Sequence, residues 1–287
     1  MRLVLLVFGD EYTNYAQAYF AILSFLRFHE DLHVSVVTDS PGYFKRLDGL
    51  LDLHVVTPEN LQEWRGTADF FWRIKCKAIE LVIHKYPQDD IFYIDSDTFL
   101  AARIDHLRES LQAGHTIMHL NEGCLNTHRD KTSRNMWRHL QGHAFGGIEV
   151  TADTCMWNAG VVGIPSGESE QIISAVMQVC DEICLTKVRR RLIEQFAFSL
   201  VLAHDHRLIS CDSWIGHYWG NKPEWIQALS SMMLESFLHH RSVADDIQKQ
   251  LGFSRPNVIR QSFERKNLAY KVAQTEDKYS SLLRVLR

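Results

Sequence analysis

The stretch Ile91-Phe92-Tyr93-Ile94-Asp95-Ser96-Asp97 decides how this chain is read. A run of apolar and aromatic residues predicts a core strand over 91–95, buried on both faces. Two carboxylates end it, at i and i+2. Side chains of an extended chain alternate between faces, so Asp95 and Asp97 can point the same way. Two oxygen ligands suit a hard divalent cation such as Mg²⁺ or Mn²⁺. In open α/β sheets, ligands bind beyond the carboxyl ends of the strands. The pair is therefore read as a metal site that can hold a diphosphate. A bare D-x-D is weak evidence, since about one arises by chance in a chain of this length. Its place at the end of a core strand is what gives it weight.

Working outward, residues 3–8 read as a strand and 14–28 carry a helical period. Val34 to Asp39 is a second strand, closed by Ser40-Pro41-Gly42, and His54-Val55-Val56 is a short third. Residues 72–84 read as a helix. This alternation predicts an α/β fold with a Rossmann-like, mainly parallel central sheet flanked by helices. The nucleotide-binding half is drawn at 1–100. Residues 103–150 are polar and rich in His, Asn and Arg, and are expected to form acceptor-binding structure. Val161 to Ile164 is another core strand, 168–185 and 190–203 are helices, and Leu208 to Ser210 is a short strand. One catalytic domain is thus expected over 1–225, its acceptor and sugar half at 101–225, with a helical, basic C-terminal extension at 226–287.

The chain has 287 residues and is 46% hydrophobic, enough for a sizeable core. Its net charge of −4 argues against general nucleic-acid binding. No run of apolar residues is long enough to span a membrane. Met1 to Asp10 reads as the first buried strand rather than a signal peptide. The six cysteines are scattered without a C-x-x-C pair, so neither a zinc knuckle nor a disulfide framework is expected. Cys180 and Cys184 read as small buried apolar residues. A reducing, cytoplasmic setting is the expectation. From 252 to 287 eight Lys or Arg stand against three Asp or Glu, with apolar residues interleaved. Such a segment suits peripheral contact with an anionic inner membrane surface, or a helix packed on the catalytic domain.

Three further motifs carry chemistry. In Trp157-Asn158-Ala159-Gly160 small residues admit a ligand to the backbone, although the same pattern marks a tight turn before a strand. Glu194-Gln195 interrupts an apolar helix, as a satisfied core amide or as a residue facing substrate. His217-Tyr218-Trp219-Gly220-Asn221-Lys222-Pro223 combines a metal-capable imidazole, a glycine and a point charge suited to phosphate. His139 and His143 sit at i, i+4 without a third ligand, and read as surface or acceptor-contacting residues. Asn121, Asp130 and Arg134 are candidate acceptor contacts.

The four motifs, in this order, resemble the GT-A glycosyltransferases, especially the retaining family of glycogenin and the bacterial lipooligosaccharide galactosyltransferases. The resemblance spans roughly residues 3–225. It implies that Asp95, Asp97 and His217 bind Mn²⁺ (or Mg²⁺), with Ser96 between the carboxylates at the donor. It implies that Lys222 contacts the diphosphate, with Gly220 at the family spacing. Asp10 would bond the base or ribose, Tyr12 would stack on uracil, and Arg73 would lie near the donor sugar and phosphates. Asn158, Ala159 and Gly160 would face the sugar, and Glu194 and Gln195 would flank the anomeric carbon. The family has Asp where this chain has Glu194, and Glu224 interrupts the usual Lys-Pro-Trp. The implied activity is metal-dependent transfer from a UDP-sugar to an acceptor hydroxyl of a glycan or glycolipid, with retention. A protein acceptor and a non-catalytic nucleotide-sugar or glycan-binding module are the alternatives. A nucleotidyltransferase would want a glycine-rich basic loop where Phe8-Gly9-Asp10-Glu11-Tyr12 is acidic.

Overall fold

The computed structural model of the protein describes residues 1–128, 130–249 and 255–258. The elements follow in order β1 (Arg2–Val7), α1 (Tyr12–Leu26), β2 (His33–Thr38), β3 (Asp52–Val55), α2 (Pro58–Trp64), α3 (Arg73–Lys85), β4 (Ile91–Ile94), β5 (Thr98–Leu100), α4 (Asp105–Gln112) and β6 (Thr116–Cys124). Then come α5 (Lys131–Leu140), β7 (Ala144–Phe145), β8 (Ile148–Glu149), β9 (Cys155–Ile164), α6 (Ser169–Cys184), α7 (Ile193–Ala203), β10 (Leu208–Ser210), β11 (Ile215–His217), α8 (Lys222–Leu238) and α9 (Val243–Lys249).

Seven strands form one sheet in the order β10-β6-β9-β4-β1-β2-β3. All neighbours run parallel except β9, which is antiparallel to both β4 and β6. The expected α/β class with a mainly parallel, helix-flanked sheet is the one observed. The strand pleat divides the core in two. Leu3, Leu5, Phe92 and Ile94 pack on the face covered by α1 and α4. Val4, Ile91 and Tyr93 pack on the face covered by α3, α6 and α7. With both faces covered, every residue of β4 is buried, as a continuous apolar strand requires.

Three sequence expectations change. The polar stretch 103–150 contains β6, which lies inside the sheet between β10 and β9. Asn158, Ala159 and Gly160 lie within a ten-residue strand rather than a turn. Cys124 and Cys155, cross-strand partners of β6 and β9, form a disulfide. The expectation of no disulfide framework thus meets one exception, this single bridge. Cys76, Cys180, Cys184 and Cys211 are free and buried.

Helix α8 crosses residue 225 and buries Trp225 against Phe20, Phe99 and Tyr218. Among the described residues no helix is long and apolar enough to cross a membrane. Most of the basic tail, residues 259–287, lies outside the described residues, and the expected membrane contact with it.

Candidate active site

The site forms where β4 ends. The backbone N–H of Asp95 donates to the Gly160 carbonyl at 2.8 Å, which locks the strand end onto β9. The chain then turns into β5, whose antiparallel partner β11 sets His217 opposite Thr98. The Tyr218 N–H donates to the Asp97 carbonyl at 3.1 Å. A short two-stranded ribbon thus carries His217 to the carboxylates. Gly160 leaves the room for it, since a Cβ there would overlap the His217 ring. One ligand atom from each of Asp95, Asp97 and His217 lies within 4.8 Å of the others, the only such group of three among the described residues.

The two carboxylates are held differently. Asp97 is buried, with Lys222 Nζ 2.9 Å from Oδ2 and His217 Nε2 3.3 Å from Oδ1. Burial alone would raise its pKa, but His217 and Lys222 outweigh burial and hold the carboxyl well below the usual range. Asp95 accepts from the Tyr93 hydroxyl at 2.9 Å and faces Lys75 Nζ at 3.0 Å. Lys75 is buried and also donates to the Ala159 carbonyl at 2.9 Å. Burial works against its ammonium, and the Asp95 and Glu194 carboxylates overcome it, raising the pKa. Glu194 is buried as well, and desolvation pushes its carboxyl up against the pull of Lys75. Its Oε2 has no hydrogen-bond partner.

A second array adjoins the first. Glu122, on β6, accepts from Asn158 Nδ2 at 2.9 Å and from Gln195 Nε2 at 3.0 Å. Asn158 Oδ1 accepts from the Gly160 N–H at 3.0 Å and stands 3.0 Å from His217 Nδ1. These contacts fix which way the Asn158 amide points. An amide oxygen only accepts, so Nδ1 of His217 donates to Asn158 and Nε2 is the ring nitrogen turned to the carboxylates. Glu122 thus ties Gln195 to the imidazole through Asn158, as an outer partner orients a metal ligand.

Asp95, Asp97, His217, Lys222, Asn158, Gln195 and Glu194 are brought together, with Ala159 and Gly160 supplying backbone. Gly220 is buried in the turn before α8. Ser96 lies between the carboxylates, partly exposed. Asp10 and Tyr12 are exposed after β1, at the same end of the sheet, and Tyr12 is 56% exposed.

Arg73 is not at the cluster. Its guanidinium grips Asp181 in a two-pronged pair at 2.8 and 3.0 Å and donates to the Trp64 carbonyl. The cation of this helix that reaches the cluster is Lys75, which faces Asp95. Asp130 caps α5, and Asn121 accepts from the Gly123 N–H. His143 lies beyond the end of α5, so the i, i+4 helical pairing with His139 does not form.

No protein-family model matches the chain, and no curated protein does. Solved structures do. The galactosyltransferase LgtC, in complex with donor and acceptor sugar analogues, is 14% identical over 74% of this chain and 73% of its own, with a TM-score of 0.47. The WbbM bifunctional glycosyltransferase is 14% identical over 74% of this chain and 38% of its own, with a TM-score of 0.46. Mouse xyloside xylosyltransferase 1 is 11% identical over 73% of this chain and 84% of its own, with a TM-score of 0.46. At such identities the likeness concerns the fold alone, and the roles of residues rest on the geometry above.

Proposed function

We propose that the chain is a GT-A type glycosyltransferase that moves a sugar from a UDP-sugar to an acceptor hydroxyl, with a divalent cation, Mn²⁺ or Mg²⁺, at Asp95, Asp97 and His217. The observation that carries the reading is the convergence of these three residues within 4.8 Å of one another. The donor set of two carboxylates and an imidazole fits such an ion. So does the charge: among the described residues, the carboxylates of Asp95, Asp97, Glu194 and Glu122 gather about the ammonium groups of Lys75 and Lys222.

A divalent ion supplies Lewis-acid stabilisation of the charge that builds on a departing diphosphate. Lys222, with 43% of its side chain exposed while its ammonium touches Asp97, adds positive charge where that diphosphate would sit. Gln195 gives its Nε2 to Glu122, which leaves the amide oxygen for the positive charge that develops on the sugar ring. An amide is a poor nucleophile, so Gln195 stabilises that charge rather than capturing the sugar, unlike the carboxylate of a retaining glycosidase. The acceptor hydroxyl then attacks from the side of the leaving group, and the departing phosphate takes its proton. The configuration at the anomeric carbon is retained.

UDP release across a panel of UDP-sugars, with Mn²⁺ or with EDTA, tests the reading. One donor hydrolysed slowly with Mn²⁺ and not with EDTA supports it. Proton NMR of the product then reads the configuration, and inversion contradicts the Gln195 assignment.

A further inference from the structure

Two segments beside the candidate site carry cations and no acid. Helix α5 contributes Lys131, Arg134 and Arg138, whose spacing of three and four sets them on one stripe. The loop before α7 contributes Lys187, Arg189 and Arg191. All six are exposed. None of the six is in a salt bridge with an acid among the described residues, and three acids nearby are engaged elsewhere. Asp130 caps α5 and faces His128 at 2.6 Å, Asp181 holds Arg73, and Glu182 accepts from the Gly146 N–H at 2.6 Å. In a chain of net charge −4, this is a local reversal of sign.

The two segments form one surface. Asn135, on the same stripe of α5, accepts from the Arg189 N–H at 3.1 Å, which ties the loop to the helix. Arg190 donates to the Ala68 carbonyl and ties the loop to the segment before α3. The surface also lies at the site. Strands β4 and β6 run the same way, each antiparallel to β9, so α5 follows the strand end that carries Glu122. The loop leads directly into Glu194 and Gln195 in the first turn of α7.

We propose that this cationic rim binds a glycan bearing phosphate groups, and so presents an anionic acceptor beside Gln195. Four of the six cations are arginines, whose forked donors match phosphate oxygens in pairs. The apolar side of α5, Met136 and Leu140, is committed to the core, so the helix has no apolar face to insert into a membrane. The role as acceptor rests on the transferase reading; the binding does not.

Calorimetry on the full chain decides it, with phosphorylated dextran and plain dextran of the same length. The phosphorylated polymer binds, with an affinity that falls as salt is raised, and the plain one does not. Arg134→Gln with Arg138→Gln, and Arg189→Gln with Arg191→Gln, each weaken that binding about tenfold. Equal binding of the two dextrans, or affinity unchanged in both double variants, overturns the proposal. So does binding only to phosphatidylglycerol vesicles, lost in the same variants, which makes the occupant a membrane. UDP binding with Mn²⁺ in the same samples reads the donor site separately. Its absence in the unaltered protein would defeat the transferase reading and leave the rim result standing.

Discussion

The two ends of the central sheet both bury charge, and they close it differently. At the amino end of β1, the Arg2 guanidinium meets Asp89 at 2.7 Å, Ser35 at 3.1 Å and Asp52, and lies 3.4 Å over the Tyr86 ring. His54 completes the group, with Nε2 3.1 Å from Ser35 and Nδ1 3.4 Å from Lys85. Two cations face two carboxylates, and the cluster is finished within the protein. At the carboxyl end of β4, carboxylates outnumber ammonium groups and Glu194 Oε2 has no partner. Buried charge that closes on itself holds the fold. A buried surplus of one sign is costly and marks a place for something the chain does not supply.

That contrast breaks most sharply at the lysine and arginine of each end. Lys75→Met strands Asp95 and Glu194, and should cost about 3–5 kcal/mol in denaturant unfolding while abolishing Mn²⁺-dependent UDP binding. Arg2→Met should cost less, because its partners Asp89 and Asp52 keep 28% and 46% of their side-chain exposure, and should leave that binding intact. If Arg2→Met also removed binding, the two ends would not be separable.

Gly160→Ala comes next, with a Cβ set against the His217 ring. It should cost roughly 1–3 kcal/mol as an overpacked site and lower Mn²⁺ affinity by displacing the imidazole. Glu122→Ala touches no metal ligand directly. It should nevertheless lower Mn²⁺ affinity by about 10-fold or more, because it frees Asn158 and hence the ring it orients. Electron paramagnetic resonance of Mn²⁺ titrations measures both, and wild-type affinity in Glu122→Ala would refute the relay.

The smallest effects are in pH, and the two ends respond with opposite sign. Burial, aided by Lys85, lowers the His54 pKa from 6.5 to about 4. Between those values the unfolded chain binds more protons, so the stability from a neutral His54 is lost as pH falls from about 6.5 towards 4. Glu194 is raised by burial, so above the ordinary carboxyl range the folded chain binds more protons. Its contribution to stability therefore falls as pH rises through that window. Glu194→Gln should remove the loss of stability as pH rises above the ordinary carboxyl range, and His54→Gln the loss as pH falls from about 6.5 towards 4; denaturant midpoints across pH check both.

The legibility of the sequence divides along the same line as the chemistry. The frame was readable because β1, β2 and β4 are apolar runs whose periodicity matches their burial. Asp95, Asp97, His217 and Lys222 were readable because each sits in a short motif. Lys75 and Glu122 were not. Lys75 stands two residues after Arg73, and either cation satisfies a local pattern; only the fold shows that Arg73 turns to Asp181. Glu122 lies in the polar outer half of β6, within the stretch read as polar, acceptor-binding structure rather than as a strand. The Cys124–Cys155 pairing depended on that unread strand. What was missed is what depends on partners distant in sequence.

The most direct test is calorimetric titration of UDP into the intact protein, with Mn²⁺ and with EDTA, for the wild type and for His217→Ala. Binding should require Mn²⁺, and His217→Ala should weaken it by at least about tenfold, with the fold kept by circular dichroism. UDP binding equal in Mn²⁺ and EDTA, or untouched by loss of the imidazole, would contradict it.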